Sequence, residues 1–248
     1  MKLTQTDIDK SFSTNYDLCN SVLYELCKHN FEHTSGDAIL AKTILIGKVY
    51  AVSLDRGKDK GKSYEEKLKQ LLISDDFYQN EVVPLFMGSD IDNDLVKLKN
   101  LDSPKGHEKE ILKLHNKLKK RLLPINQEDK ISFCSKYLHF HLPNLFFIFD
   151  RRAKSVINQF ISKKDIHYFN DSDFDAEYSN FYSKALHLQG KINKQFSIEL
   201  TPRQIDNLFL VPANEILRQR LLKKKLKDNR NEKLDFLAKQ AQDLNLGY

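Results

Sequence analysis

The side chains best placed to do chemistry lie in one stretch, residues 126–152, NQEDKISFCSKYLHFHLPNLFFIFDRR. Ser132, Ser135, Lys136 and His139 fall at i, i+3, i+4 and i+7, which on a helix makes a narrow polar stripe on an otherwise apolar surface. Pro143 stops that helix, NLFFIF reads as extended, and Asp150 stands where it can cap the next helix, RRAKSVINQFIS. The turn at Pro143 brings the chain back, so the stripe and Asp150 border one cleft. A fixed carboxylate facing a lysine suits cleavage of an N-glycosidic bond. The sugar becomes oxocarbenium-like as the base leaves, and an anion stabilises that charge and orients water. A lysine of lowered pKa could instead attack the sugar carbon and form a Schiff base. The plainer alternative is that Lys136 and His139 reach the surface along the stripe and Asp150 only caps a helix.

Neighbouring residues extend the candidate site. Arg151 and Arg152 open a helix, where cations oppose the macrodipole, and phosphate contact or pairing with Asp150 would account for them. Phe146, Phe147 and Phe149 read as core, with Phe149 the ring assigned to a base pocket. His139 and His141 project to different helix faces, so no metal site is expected, and no P-loop, GxGxxG, HExxH, GxSxG or CxxC pattern occurs. Neither a cofactor nor a metal is therefore expected. Arg203, in LTPRQIDNLFLV, receives no special role.

These residues need a helical frame. The chain has 248 residues, 40% apolar and 10% aromatic, enough for a core without disulfides. Cys19, Cys27 and Cys134 are odd in number and scattered, which fits a reducing cytoplasm. No run is long and apolar enough to span a bilayer, and MKLTQTDIDK does not read as a secretory signal. Sparse Gly and Pro point to long helices. They are read at 15–30, with Leu18, Val22, Leu26 and Phe31 near one stripe, at 37–56, 64–73, 105–123 and 126–141, and again from 151 and near 183–195, 202–210 and 213–240. Asp37 and Asn126 are read as N-terminal signals, residues 77–98 as a mixed connection with short helical turns, and residues 163–183 as an acidic one.

The net charge of +6 is unevenly spread. Residues 105–121 carry seven Lys/Arg against two Glu, residues 213–227 six against one, and residues 165–180 five acids with no Lys or Arg. Clustered cations gain affinity for nucleic acid by releasing counterions from phosphate. Lys113, Lys117, Lys120 and Arg121 on the first basic helix, Arg220 and Lys224 on the second, and Lys130, Arg151 and Arg152 beside the stripe are the expected DNA contacts.

The segment Lys130-Ile131-Ser132-Phe133-Cys134-Ser135-Lys136, then Pro143, then Phe147-Ile148-Phe149-Asp150, resembles the helix-hairpin-helix DNA glycosylase superfamily. Its catalytic segment likewise runs from a lysine-bearing helix through a proline turn to an aspartate capping the next helix. The resemblance covers about 25 residues, and RLLPINQED, without glycine, occupies the place of the family's glycine-rich hairpin. It implies an all-α, two-lobed bundle formed by residues 1–248 as one domain, with its cleft near 130–152. It also implies an enzyme that flips a damaged or modified base from double-stranded DNA and hydrolyses its glycosidic bond, with Asp150 and Lys136 as the catalytic pair. Ser132, Ser135, His139 and Phe149 would form the pocket. Lys130 and Lys136 lie 20 and 14 residues before Asp150. If neither is a nucleophile, the implied enzyme is monofunctional, leaving an abasic site, and phage-defence enzymes that excise bulky modified bases are among the implied kin. The alternative is a non-enzymatic nucleic-acid-binding or antiphage accessory protein in which residues 126–152 are only core.

Overall fold

The computed structural model describes residues 3–12, 14, 17–55, 77–125, 128–161, 166–210 and 212. Among these the chain is all-α, without a β-strand. The expected helices at 64–73 and 213–240, and with them Arg220 and Lys224, lie outside the described residues. In order, the elements are α1 (Gln5–Asp9), α2 (Asp17–His29), α3 (Gly36–Val49), a π-helical turn (Tyr78–Val82), α4 (Val83–Phe86), α5 (Ile91–Leu98), α6 (Glu108–Leu122), α7 (Ile131–His141), α8 (Arg151–Val156) with a following 3-10 turn (Ile157–Gln159), α9 (Ala176–Phe196), and α10 (202–210).

Local signals account for most boundaries. Ser35 caps α3 through Ala38 N, so Asp37 is a first-turn acid and not the cap. On α6, Glu108 and Glu110 stand in the first turn and Lys119, Lys120 and Arg121 in the last, each complementing the helix dipole. Its apolar stripe, Ile111, Leu114, Leu118 and Leu122, is buried. The reading of Asn126 as a helix start is corrected: α7 begins at Ile131, with Lys130 at the cap position making no side-chain cap bond. The face of α2 is also corrected. Asn20, Leu23 and Cys27 are buried while Leu18 and Val22 are exposed, because Asn20 takes the Tyr50 hydroxyl proton and Tyr24 reaches His139. The acidic connection before residue 183 is shorter than read, since Asp175 caps α9 through Tyr178 N. Thr201 and Gln204 close a capping box on α10, with Pro202 at its first position.

Helix α7 is the centre of the molecule. Ten of its eleven residues are buried, and α2, α3 and α6 pack around it. A helix enclosed on all sides must match any polar side chain it carries with an internal partner. Two sets of partners do this. On one side Tyr137 Oη meets His33 Nε2 at 2.7 Å, and His141 Nε2 accepts from Lys42 Nζ at 3.1 Å. On the other, the Ser132, Ser135, Lys136 and His139 stripe faces residues 146–150, which are extended but have no partner strand. Among the described residues, no helix is long and apolar enough to cross a membrane.

Candidate active site at Asp150

The extended segment explains the stripe. Its backbone needs hydrogen-bond partners once buried, and side chains supply them where a neighbouring strand would in a sheet. His139 Nδ1–H donates to Phe146 O at 2.8 Å, Tyr178 Oη to Phe147 O at 3.0 Å, and Tyr182 Oη to Leu145 O at 3.2 Å. Ser135 Oγ accepts from Phe149 N at 3.0 Å. The Phe149 carbonyl oxygen then gathers Ser132 Oγ at 2.9 Å, Lys136 Nζ at 3.1 Å and Ser135 Oγ at 3.3 Å. Every member of the stripe therefore grips the chain just before Asp150.

Asp150 itself is extended, φ −150° and ψ 176°, and its Oδ1 accepts from Ala153 N at 2.8 Å to cap α8. Its Oδ2 lies 3.8 Å from Lys136 Nζ, with the aspartate side chain 31% exposed and the lysine side chain 2% exposed. The arrangement is a carboxylate at the surface with an ammonium beneath it. Lys136 also donates to Ser132 Oγ at 2.9 Å and lies 5.9 Å from the Tyr50 ring centre, where the negative face of the ring favours a cation. Burial pulls the Lys136 pKa down, and Asp150 opposes the shift.

A residue passed over in the sequence completes the cluster. Arg203 on α10 donates to Asp206 Oδ2 at 3.1 Å, to Tyr50 Oη at 2.9 Å and to Tyr24 Oη at 3.2 Å, and covers the rings of Tyr50 and Phe140 at 5.7 and 5.5 Å. Tyr24 passes its own proton to His139 Nε2 at 2.7 Å, which fixes the histidine with its proton on Nδ1, toward Phe146 O. Burial holds His139 well below its ordinary pKa, so the imidazole is neutral. The sign that could have exposed Arg203 is its spacing to Asp206, one helical turn, on a segment otherwise apolar on that side.

No protein family, curated protein or solved structure matches this chain. Its chemistry is read from the site alone.

The remaining expected site residues divide by surroundings. Arg151 and Arg152 are exposed at the start of α8, beside Asp150. The cations of α6 instead meet acids: Lys113 pairs with Asp173 at 3.1 Å, Lys117 with Asp94 at 2.7 Å and Asp90 at 2.8 Å, and Arg121 with Asp90 at 3.1 Å. Lys130 is buried and 3.6 Å from Glu128. Lys120 lines a surface cavity of about 470 Å³ with Lys113, Lys117 and Asp94, a place that shares no residue with the Asp150 cluster. A second cavity of about 500 Å³ opens beside α8, between Phe149, Ile157 and Phe181, with Lys154, Glu177 and Lys184 at its rim. Of the four residues expected to form a pocket only Phe149 lines either cavity; Ser132, Ser135 and His139 lie beneath Asp150 as its support. Among the described residues no group of three or more His, Cys, Asp or Glu is placed to hold a metal ion.

Proposed function

We propose that this chain is a monofunctional DNA N-glycosylase acting at Asp150. The observation that carries the reading is the half-exposed Asp150 carboxylate, held by the Ala153 N–H and 3.8 Å from the buried Lys136 ammonium. When the C1′–N bond breaks, its electron pair leaves with the base and positive charge develops on the sugar. A carboxylate fixed in advance stabilises that charge without reorganising, and can orient the water that adds to C1′. The Lys136 amine is committed to Ser132, Phe149 and Asp150 in a buried position, which supports hydrolysis over Schiff-base chemistry. Double-stranded DNA is the partner in this reading, with a base flipped out toward Asp150 and Arg151 and Arg152 on its phosphates.

The test is incubation of the full chain with duplexes holding normal bases, uracil, hypoxanthine, 8-oxoguanine, a methylated purine or glucosylated 5-hydroxymethylcytosine. Free base is read by mass spectrometry and abasic sites by an aldehyde-reactive probe. Asp150→Asn should fold normally and release base about 100-fold more slowly or worse. No release from any duplex by the unaltered chain, or equal release by the variant, sinks the reading. A second reading, a nucleic-acid-binding accessory protein without catalysis, draws on the same contacts: the whole stripe is engaged in holding residues 146–150. It requires Asp150→Asn to leave biological activity intact.

A further inference from the structure

The cluster below Asp150 contains a second carboxyl that capping and packing do not explain. Asp206 sits on α10 with its side chain 10% exposed, and Arg203 takes up Oδ2. Among the described residues Oδ1 accepts no hydrogen bond, and the side chain keeps about a tenth of its surface exposed. The charged and titratable groups within its field come from each packed element: Arg203 of α10, Lys136 of α7, Asp150 at the cap of α8, Tyr24 of α2 and Tyr50 at the end of α3.

Burying three ionic groups, Lys136, Arg203 and Asp206, beneath the carboxylate of Asp150 is costly unless they serve a purpose, since replacement by apolar residues is often neutral or stabilising. The two carboxyls differ in surroundings. Asp150 makes the contacts of a carboxylate, a helix-cap N–H and an ammonium. Asp206 is pushed up to about 6 by burial, with Asp150 adding to the rise and Arg203 and Lys136 opposing it. Two carboxyls set apart by environment are the usual means of dividing acid from base work.

We propose that Asp206 is the proton donor of the site, giving its proton to the ring nitrogen of the departing base while Asp150 stays ionised beside the sugar. This rests on the glycosylase reading and adds to it a second working residue. The C1′–N bond breaks with its electron pair on the base nitrogen, which takes the Asp206 proton. Water adds to C1′ and its proton passes to Asp150, which releases it to solvent while solvent returns one to Asp206. One water is consumed, and a free base and an abasic sugar are formed.

The experiment uses the full chain labelled with ¹³C in its aspartate carboxyls, followed by NMR from pH 4 to 8 in the unaltered protein, Asp206→Asn and Asp150→Asn. One resonance should titrate with a midpoint near 6, vanish in Asp206→Asn, and titrate at lower pH in Asp150→Asn, where the neighbouring charge is gone. Base release should fall about tenfold per pH unit above that midpoint, and Asp206→Asn should be slow throughout and lack that fall. The absence of such a resonance, its survival in Asp206→Asn, or an unchanged pH profile in that variant overturns the donor role. If the unaltered chain releases no base at any pH, the glycosylase reading fails and the donor role with it. If base is released but the profile does not move with Asp206→Asn, only the donor role fails.

Discussion

Asp206 ties stability to pH in a direction opposite to most aspartates. In the unfolded chain it titrates at its ordinary value of 3.8, and in the folded chain near 6, because burial penalises its charge. Below 3.8 both states hold the proton. Between the two values the native state keeps a proton that the unfolded chain has released, so rising pH weakens the fold, and above 6 the loss is complete. Two pKa units correspond to roughly 2–3 kcal/mol, or about 5–10 °C in Tm for a chain of this size. Thermal melts at pH 4 and pH 7 should show Asp206→Asn losing less stability over that interval than the unaltered protein; equal losses would place the titration elsewhere. The stripe Ser132, Ser135, Lys136 and His139 and its meeting with Asp150 were legible in spacing alone, because a single helix and one turn join them. Arg203 and Asp206 were not. They reach the site from more than 50 residues downstream through tertiary packing, which no local pattern records.

At the level of elements, the pairing of α7 with the extended segment 146–150 is what places Asp150. Its backbone is held by side chains, so one serine counts for more here than in a sheet, where the ladder is redundant. Ser135 serves Phe149 on both sides, accepting from its N at 3.0 Å and lying 3.3 Å from its O. Ser135→Ala leaves a buried N–H without a partner, which costs about 1–3 kcal/mol, a fall of some 2–10 °C in Tm. It should also slow base release by letting Asp150 drift, whereas a fall in Tm with unchanged release would mean that α8 alone positions the carboxylate. The helix end marked by Pro143 was readable, and so was the helix of the first basic run. The start of α9 was hidden because its buried face is written in polar letters. Tyr178, Ser179, Tyr182 and Ser183 are buried, with the tyrosine hydroxyls donating to the Phe147 and Leu145 carbonyls and both serine hydroxyls donating to backbone carbonyls, and they break the apolar period that announces a helix.

At the scale of the whole molecule, the charge asymmetry visible in the sequence is, among the described residues, largely spent internally. The basic run 105–121 and the acidic run 165–180 meet: Lys113 pairs with Asp173, and Lys119 with Asp175. Lys117 and Arg121 are taken up by Asp90 and Asp94 of the α5 end. Counting charges along the chain could not reveal this, because folding decides which runs face each other. A phosphate approaching α6 must compete with carboxylates already in place, whereas Arg151 and Arg152 stand exposed beside Asp150. Of these two groups of cations, the arginine pair should therefore contribute more to counterion release. Fluorescence anisotropy on a duplex between 50 and 200 mM salt measures it, since each phosphate contact contributes about 0.9 to the slope of log K against log salt. Arg151→Ala with Arg152→Ala should lower that slope by nearly 2 and slow base release, while Lys113→Ala with Lys117→Ala should change it by less than about 0.5. A larger loss from the α6 pair than from the arginine pair would move the DNA to the α5–α6 face, away from Asp150, and the glycosylase reading would lose its substrate.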